Sequence, residues 1–234
     1  LKQNLKKLFI FFDNFKSKKS FLIEKSFQLQ NNKVAETFIN SNNINFDKNL
    51  YVQGNFENYA YFNHLKNDLV NLFTVKDEYI SQENPLINKL KNSNSVSIHI
   101  RRNRFSDQYG LSKQNDVKKS LIFTNQIIDY INRSLDFINN NVTNPSYFIW
   151  SNDFTDFDEI LSKINLKNYV LVNNNDLLTD FDLFRYSKNF IVGPSSFHWW
   201  GAWLNQNKSK ICVCPKNLSP SNNANFWPNN WIKI

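Results

Sequence analysis

Three of the chain's five arginines fall within four positions, in the stretch His99-Ile100-Arg101-Arg102-Asn103-Arg104. The remaining basic positions are lysines, scattered along the 234 residues with some clustering in the first 25. A guanidinium differs from an ammonium in its rigid fork, which grips phosphate or carboxylate through paired hydrogen bonds. Guanidinium groups gathered at one spot point to an anion site; the alternative is a surface ion-pair cluster with Asp107 and its neighbours. A diphosphate leaving group is one anion that such a cluster could serve. The charge that grows as its bond breaks can be neutralised by arginines without a metal.

A second stretch, Pro194-Ser195-Ser196-Phe197, lies where a strand gives way to a short helix. A helix N-terminus presents unpaired N–H groups and partial positive charge, and small hydroxyl residues there let a phosphate approach closely. Taken alone, Ser195 or Ser196 reads as an ordinary helix cap. No Gly-x-Ser-x-Gly is present, so a hydrolase nucleophile elbow is not indicated. Two Asp-Phe-Asp triplets, Asp156 to Asp158 and Asp180 to Asp182, fall at predicted helix starts, where acids complement the helix dipole. Capping accounts for most of these acids. Asp182 is the exception, one helix before the serine loop and within reach of a purine's N–H groups. In Trp199-Trp200-Gly201-Ala202-Trp203-Leu204 the composition reads as a buried helix packed tightly through Gly201 and Ala202.

The elements that must position these residues follow a regular pattern. Strands are predicted at 96–100, 147–150, 169–172, 190–192 and 211–214. Helices are predicted at 117–139, 156–164 with a Thr155–Asp158 capping box, 177–188, and 198–204. Short apolar strands alternating with helices imply a parallel sheet covered on both faces, a Rossmann-like domain over residues 93–234. Ligands of such sheets bind beyond the carboxyl ends of the strands, and the arginine cluster, Asp153 and Ser195-Ser196 all follow predicted strand ends. Residues 1–92 form a separate lobe. Tyr59, Phe62, Leu65, Leu69 and Leu72 are spaced for a helix, residues 77–91 suggest a second helix with a boundary at Pro85, and residues 1–50 read as mixed helix and loop.

Composition narrows the function classes. The net charge is +8, from 28 Lys+Arg against 20 Asp+Glu, which raises nucleic acid, a membrane surface or a small anion as partners. The aromatic residues sit at strand and helix core positions rather than interleaved with lysine, so nucleic acid is not the expected partner. No apolar run approaches the roughly 20 residues of a membrane span. Leu8 to Phe12 is also too short for a signal-peptide core of about 7–15 residues. The expected location is therefore cytoplasmic, at most peripheral at the inner face of the membrane. The chain begins with Leu and holds no Met, so it reads as a fragment or a processed chain. Cys212 and Cys214 lie two apart on one strand face and are expected to be buried free thiols, with no zinc set around them.

These stretches together resemble the bacterial α-1,2-fucosyltransferases of glycosyltransferase family 11. The match rests on Gly54-Asn55-Phe56-Glu57-Asn58-Tyr59 with Tyr61-Phe62, and on His99-Ile100-Arg101-Arg102. It rests also on Phe148-Ile149-Trp150-Ser151-Asn152-Asp153, on Asp182-Leu183 through Ser195 to Leu204, and on Trp227-Pro228 to Ile234. Coverage is roughly residues 50–234. The resemblance implies a GT-B-like α/β architecture, with a truncated, mostly helical N-terminal lobe on the acceptor side and GDP-fucose bound at the C-terminal domain. It implies metal-independent, inverting transfer of fucose to the 2-hydroxyl of a galactoside, in an O-antigen or other oligosaccharide. By motif matching, Arg101 is the catalytic contact to the β-phosphate, with His99 and Arg102 beside it; Asp182 faces the guanine, and Ser195, Ser196 and Phe197 line the diphosphate.

Two departures from the family pattern stand out. Arg104 occupies the position where the family usually has Asp, with Asp107 as a nearby substitute. The family's opening Gly-Leu-Gly-Asn-Gln loop has no counterpart among the four glycines of this chain. A catalytically impaired sugar-nucleotide or glycan-binding remnant is the alternative reading that follows from the second departure.

Overall fold

A computed structural model describes residues 20–23, 50–53, 56–79, 84–106, 116–173, 175–218 and 224–234. Two compact units result, one comprising residues 1–61 and 221–226, the other residues 62–220 and 227–234. In the first, strands β1 (Ser20–Ile23) and β2 (Leu50–Gln53) pair in parallel. This corrects the expectation of helix and loop over residues 1–50. Phe21, Leu22 and Ile23 form a β-prone apolar run too short to show a period, which is why the strand escapes a search for periodicity. Single 3₁₀ turns cover Tyr59–Tyr61 and Ala224–Phe226, and the Phe56 and Tyr61 rings meet edge to face. Gly54 and Asn55 of the resemblance motif lie outside the described residues, as does Asp107.

The second unit holds a six-stranded parallel sheet. In chain order it contains α1 (Lys66–Leu72), α2 (Pro85–Asn92), β3 (Asn94–Ile100), α3 (Val117–Asn141) and β4 (Pro145–Ser151). It continues with α4 (Phe157–Leu161), β5 (Tyr169–Val172), α5 (Leu177–Leu183), β6 (Asn189–Ile191), α6 (Ser196–Leu204), β7 (Cys212–Cys214) and β8 (Ile232–Lys233). The strand order is β5-β4-β3-β6-β7-β8, with every pairing parallel. The chain lays β4 and β5 outward from β3 and then returns to β3's other side. Such an order reverses between β3 and β6, and in open α/β sheets that reversal opens the ligand crevice at the strands' carboxyl ends.

Strand β3 shows how the sheet is covered. Its Val96, Ile98 and Ile100 side pack with Phe123, Ile127, Ile131 and Ile138 of α3 in the main core. Its Ser95, Ser97 and His99 side is also buried, and two hydroxyls there are committed. Ser95 Oγ donates to Leu90 O at 2.8 Å and accepts from Lys188 N at 2.9 Å. Ser97 Oγ lies 2.9 Å from His198 Nε2. The alternating stretch is thus a central strand buried on both faces, as expected of a parallel sheet covered on both sides.

Helix ends depart from expectation in instructive ways. The Asp116 carboxylate caps α3, accepting from Lys119 N at 2.8 Å. The Asp176 carboxylate caps α5, accepting from Leu178 N and Thr179 N at 2.8 and 3.0 Å. Pro85 stands at the first position of α2, behind an Asn84 cap. The Thr155–Asp158 capping box does not form. The Thr155 N–H that Asp158 would have to reach is taken by Asp153 Oδ1 at 2.9 Å, and Asp156 occupies the cap position in a left-handed conformation (φ 49°) with no side-chain cap bond. Helix α5 stops at Leu183 and tightens into a 3₁₀ turn over Phe184–Tyr186, short of the predicted Lys188. The two cysteines are free and buried, and burial pushes both thiols up to about 12. No described helix is long and apolar enough to cross a membrane.

Candidate functional site

Strand β3 delivers His99 and then Arg101 to the carboxyl edge, and its neighbour β6 delivers Gly193. These two chain segments touch. A Cβ on Gly193 would sit 2.5 Å from the His99 carbonyl oxygen, so only glycine fits there. The loop after β6 is thereby pressed against the end of β3, and Pro194, Ser195 and Ser196 follow at once. Arg104 ties the same two segments from the other side, donating from Nη1 to Pro194 O at 3.2 Å. Its guanidinium also lies 5.2 Å from the centre of the Phe123 ring. The residue that departs from the family pattern therefore joins the arginine loop to the serine loop.

The rest of the arginine loop is braced by the end of β4. Arg102 N donates to Asn152 Oδ1 at 2.7 Å, and Arg102 Nη1 donates to Asp153 O at 3.3 Å and to Thr155 O. Asn103 adopts a left-handed conformation (φ 54°) and donates from Nδ2 to Asp153 Oδ2 at 2.8 Å. Asp153 Oδ2 lies 3.8 Å from Arg102 Nη1. The Thr155 backbone N–H, helped by Arg102 and Asn103, holds the Asp153 carboxyl below the usual carboxylate range. Arg101 is half-buried. Burial, with the Arg101 charge added, lowers His99 to about 4, so its imidazole is neutral at pH 7.

Helix α6 opens with its first turn unguarded by side chains. Ser195 is the cap residue in extended conformation (φ −138°, ψ 128°), yet its hydroxyl makes no capping bond. This corrects the reading of that serine as an ordinary cap. The N-terminal N–H groups of a nine-residue helix are thus presented at the sheet edge beside Arg101 and Arg104. Phe197 sits between His99 and the preceding helix, 6.2 Å from the His99 ring centre and 5.5 Å from those of Phe181 and Phe184. His198 is fully buried, its ring centre 5.5 Å from that of His99 with the planes tilted by 36°; burial first, and then His99, hold it well below the ordinary imidazole range.

His99, Arg101, Arg102, Ser195, Ser196 and Phe197 therefore share one edge. Asp182 stands apart from that group. It is buried on α5 with Arg185 Nε 2.6 Å from its Oδ1, and it is linked to the edge through Phe181 and Phe184. Sequence reasoning placed Asn103 and Arg104 in the cluster without naming their partners, and missed Arg185 and Gly193 as parts of this arrangement. The only signal for Gly193 was its place directly after a strand and before proline. The tryptophans of α6 are packing residues, as expected. Phe62 stacks on Trp200 at 4.9 Å and meets Trp199 and Trp203 edge to face, while Phe73 stacks on Trp200 at 5.3 Å.

The chain matches the description "Glycosyl transferase family 11" over residues 1–234. It belongs to glycosyl transferase family 11. This family 11 chain is 29% identical over 148 residues to the O-antigen biosynthesis glycosyltransferase WbnK of Escherichia coli, a stretch covering 62% of this chain and 46% of that protein. It is 26% identical over 188 residues to an alpha-1,2-colitosyltransferase of Escherichia coli, covering 77% of this chain and 61% of that protein. The chain thus spans about half to three-fifths of the length of these curated relatives. The carboxyl edge of the family 11 sheet offers guanidinium groups and free backbone N–H groups, the chemistry that binds a phosphorylated ligand and stabilises a departing anion. Among the described residues, no three His, Cys, Asp or Glu side chains converge as a metal cage.

Proposed function

We propose that the chain acts in transferring fucose, or a closely similar deoxy sugar, from its GDP-linked donor to the 2-hydroxyl of a galactoside, with inversion. Residues 93–234 form the donor-binding domain and residues 1–92 belong to the acceptor side. The observation that carries the reading is the meeting of the β3 arginine loop and the uncapped start of α6 at the reversal of strand order, fixed by Gly193 against His99 and Arg104 on Pro194. There Arg101 binds the β-phosphate and takes up the charge that develops on the GDP leaving group, as the sugar carbon gains oxocarbenium character. The α6 N–H groups, with Ser195 and Ser196, hold the diphosphate. The neutral His99 donates or accepts a hydrogen bond without adding charge. Asp182, paired with Arg185, faces the guanine. The step needs no metal in this arrangement, and the acceptor is a galactoside of an O-antigen or related oligosaccharide.

Support for the sugar comes from the relatives' names, one an O-antigen glycosyltransferase and one an alpha-1,2-colitosyltransferase, so a colitose donor is a second reading beside fucose. Calorimetric titration with GDP and GDP-fucose is the first test. Arg101→Ala is expected to weaken GDP by roughly 10- to 100-fold, the size of a lost charge-assisted phosphate contact. Unchanged GDP affinity in that variant, or no GDP binding by the wild-type chain, rejects the proposal. Product analysis with lactose then tells transfer from binding alone.

A further inference from the structure

A cavity of about 480 Å³ opens at the other end of the sheet. Helix α6 starts beyond the carboxyl end of β6 and runs back across the sheet. Its terminal residue Leu204 and the first residue of β7, Cys212, therefore mark the amino edge, and the cavity lies between them and α1. Three lysines line it: Lys66 from α1, and Lys208 and Lys210 from the loop before β7. Among the described residues, no carboxylate lines it.

Two of these ammonium groups are held partly out of water. Lys66 Nζ lies 5.1 Å from the centre of the Trp203 ring, and the Lys210 ammonium donates to the Asn205 backbone carbonyl. Burial, with the Lys66 charge adding to it, lowers Lys210 to about 8, and burial lowers Lys66 as well. Desolvated like charges around one concavity are costly when nothing opposes them, and low-dielectric walls focus their field into the opening. An anion there would relieve both the repulsion and the desolvation. The remaining wall is suited to hydroxyl groups: the Asn71, Gln206 and Asn230 amides can each donate and accept, and the indole of Trp231 adds a flat apolar surface.

We propose that this cavity is a second ligand site, for a sugar that carries a carboxylate or phosphate, with the anion between Lys66 and Lys210 and the sugar body on the amides and Trp231. It is separate from the donor edge and does not depend on the reading of that edge. The test is titration of the 234-residue chain with glucuronate, glucose 6-phosphate, glucose and inorganic phosphate. The two charged sugars are expected to bind, with glucose and inorganic phosphate each weaker by roughly tenfold or more. Lys66→Gln combined with Lys210→Gln is expected to weaken glucuronate by roughly 10- to 100-fold. If that double variant does not fold, the wild-type chain still decides: the Trp231 indole N–H resonance must move on adding either charged sugar and must not move with GDP. The proposal is overturned if neither charged sugar binds, if inorganic phosphate binds as tightly as glucose 6-phosphate, or if GDP displaces the sugar.

Discussion

Asp153 accepts hydrogen bonds from Asn103 Nδ2 and Thr155 N and lies 3.8 Å from Arg102, so one carboxylate fixes both the left-handed turn and the second arginine of the anion loop. Removing it leaves two polar partners without their acceptor, and the loop that carries Arg101 loses its brace. Asp153→Ala is expected to weaken GDP by up to about 1.5–3 kcal/mol, the range for losing a hydrogen bond to a charged group. Asp153→Asn, which keeps an acceptor for Thr155 N, is expected to lose less. Equal GDP affinities in wild type and Asp153→Ala, measured by titration calorimetry, would remove Asp153 from the site. At this scale the arginine cluster was legible because arginine is scarce elsewhere in the chain. Its bracing was not, because Asp153 is fifty positions away in sequence and arrives only through the β3–β4 register, Ile100 against Ser151. The Asp182–Arg185 pair was hidden for a different reason: both partners sit on α5 and the turn that extends it, and nothing in their spacing says that the carboxylate is buried rather than a solvated face.

Helix α6 is held to the 3₁₀ turn after α5 by contact too close for a side chain at Gly201, where an added Cβ would lie 2.4 Å from Cδ2 of Phe184. Phe184 is itself fully buried, against Trp150 and His198, so its ring has little room to turn away. Gly201→Ala is expected to destabilise the chain by about 1–3 kcal/mol, the usual cost of overpacking. Thermal unfolding followed by circular dichroism checks this, and a melting temperature equal to wild type would show that the helix can shift outward freely. Strands β3 to β7 and the four helices of the 93–234 region were readable because each carries an apolar run bounded by turn residues. Strand β8 is only two residues long, and β1 and β2 lie among lysine- and asparagine-rich stretches that carry no clean hydrophobic period in the sequence. The burial of β3 on both faces follows from a parallel sheet covered on both faces, but the partners of its polar side were not legible: Ser95 bonds to Leu90 O and Lys188 N, Ser97 to His198, and the His99 ring packs near Phe197 and His198.

The molecule as a whole carries +8 at pH 7, and its core contains two imidazoles that burial keeps neutral. Both facts bear on acid stability in the same direction. As pH falls through about 6.5, the unfolded chain protonates His99 and His198, while the folded chain binds no proton at His99 until about pH 4 and holds His198 likewise well below its ordinary range. More protons bound in the unfolded state means that stability falls with falling pH across this window. At pH 5 the loss from His99 alone is on the order of 2 kcal/mol, a large part of the 5–15 kcal/mol available to a typical domain. Self-repulsion of an already cationic chain grows over the same range. Carboxylates such as Asp153, whose folded pKa is lowered, add their own loss only as pH falls below about 4, the unfolded carboxylate range. Urea midpoints are therefore expected to drop steeply between pH 7 and pH 5, before the carboxylates titrate. The assignment to imidazole is tested by His198→Gln, which can keep a hydrogen bond to Ser97 Oγ but has no proton to gain. That variant is expected to start less stable at pH 7 and to show a shallower loss toward pH 5. A variant that follows the wild-type slope would place the acid lability in the chain's net charge rather than in its buried histidine pair.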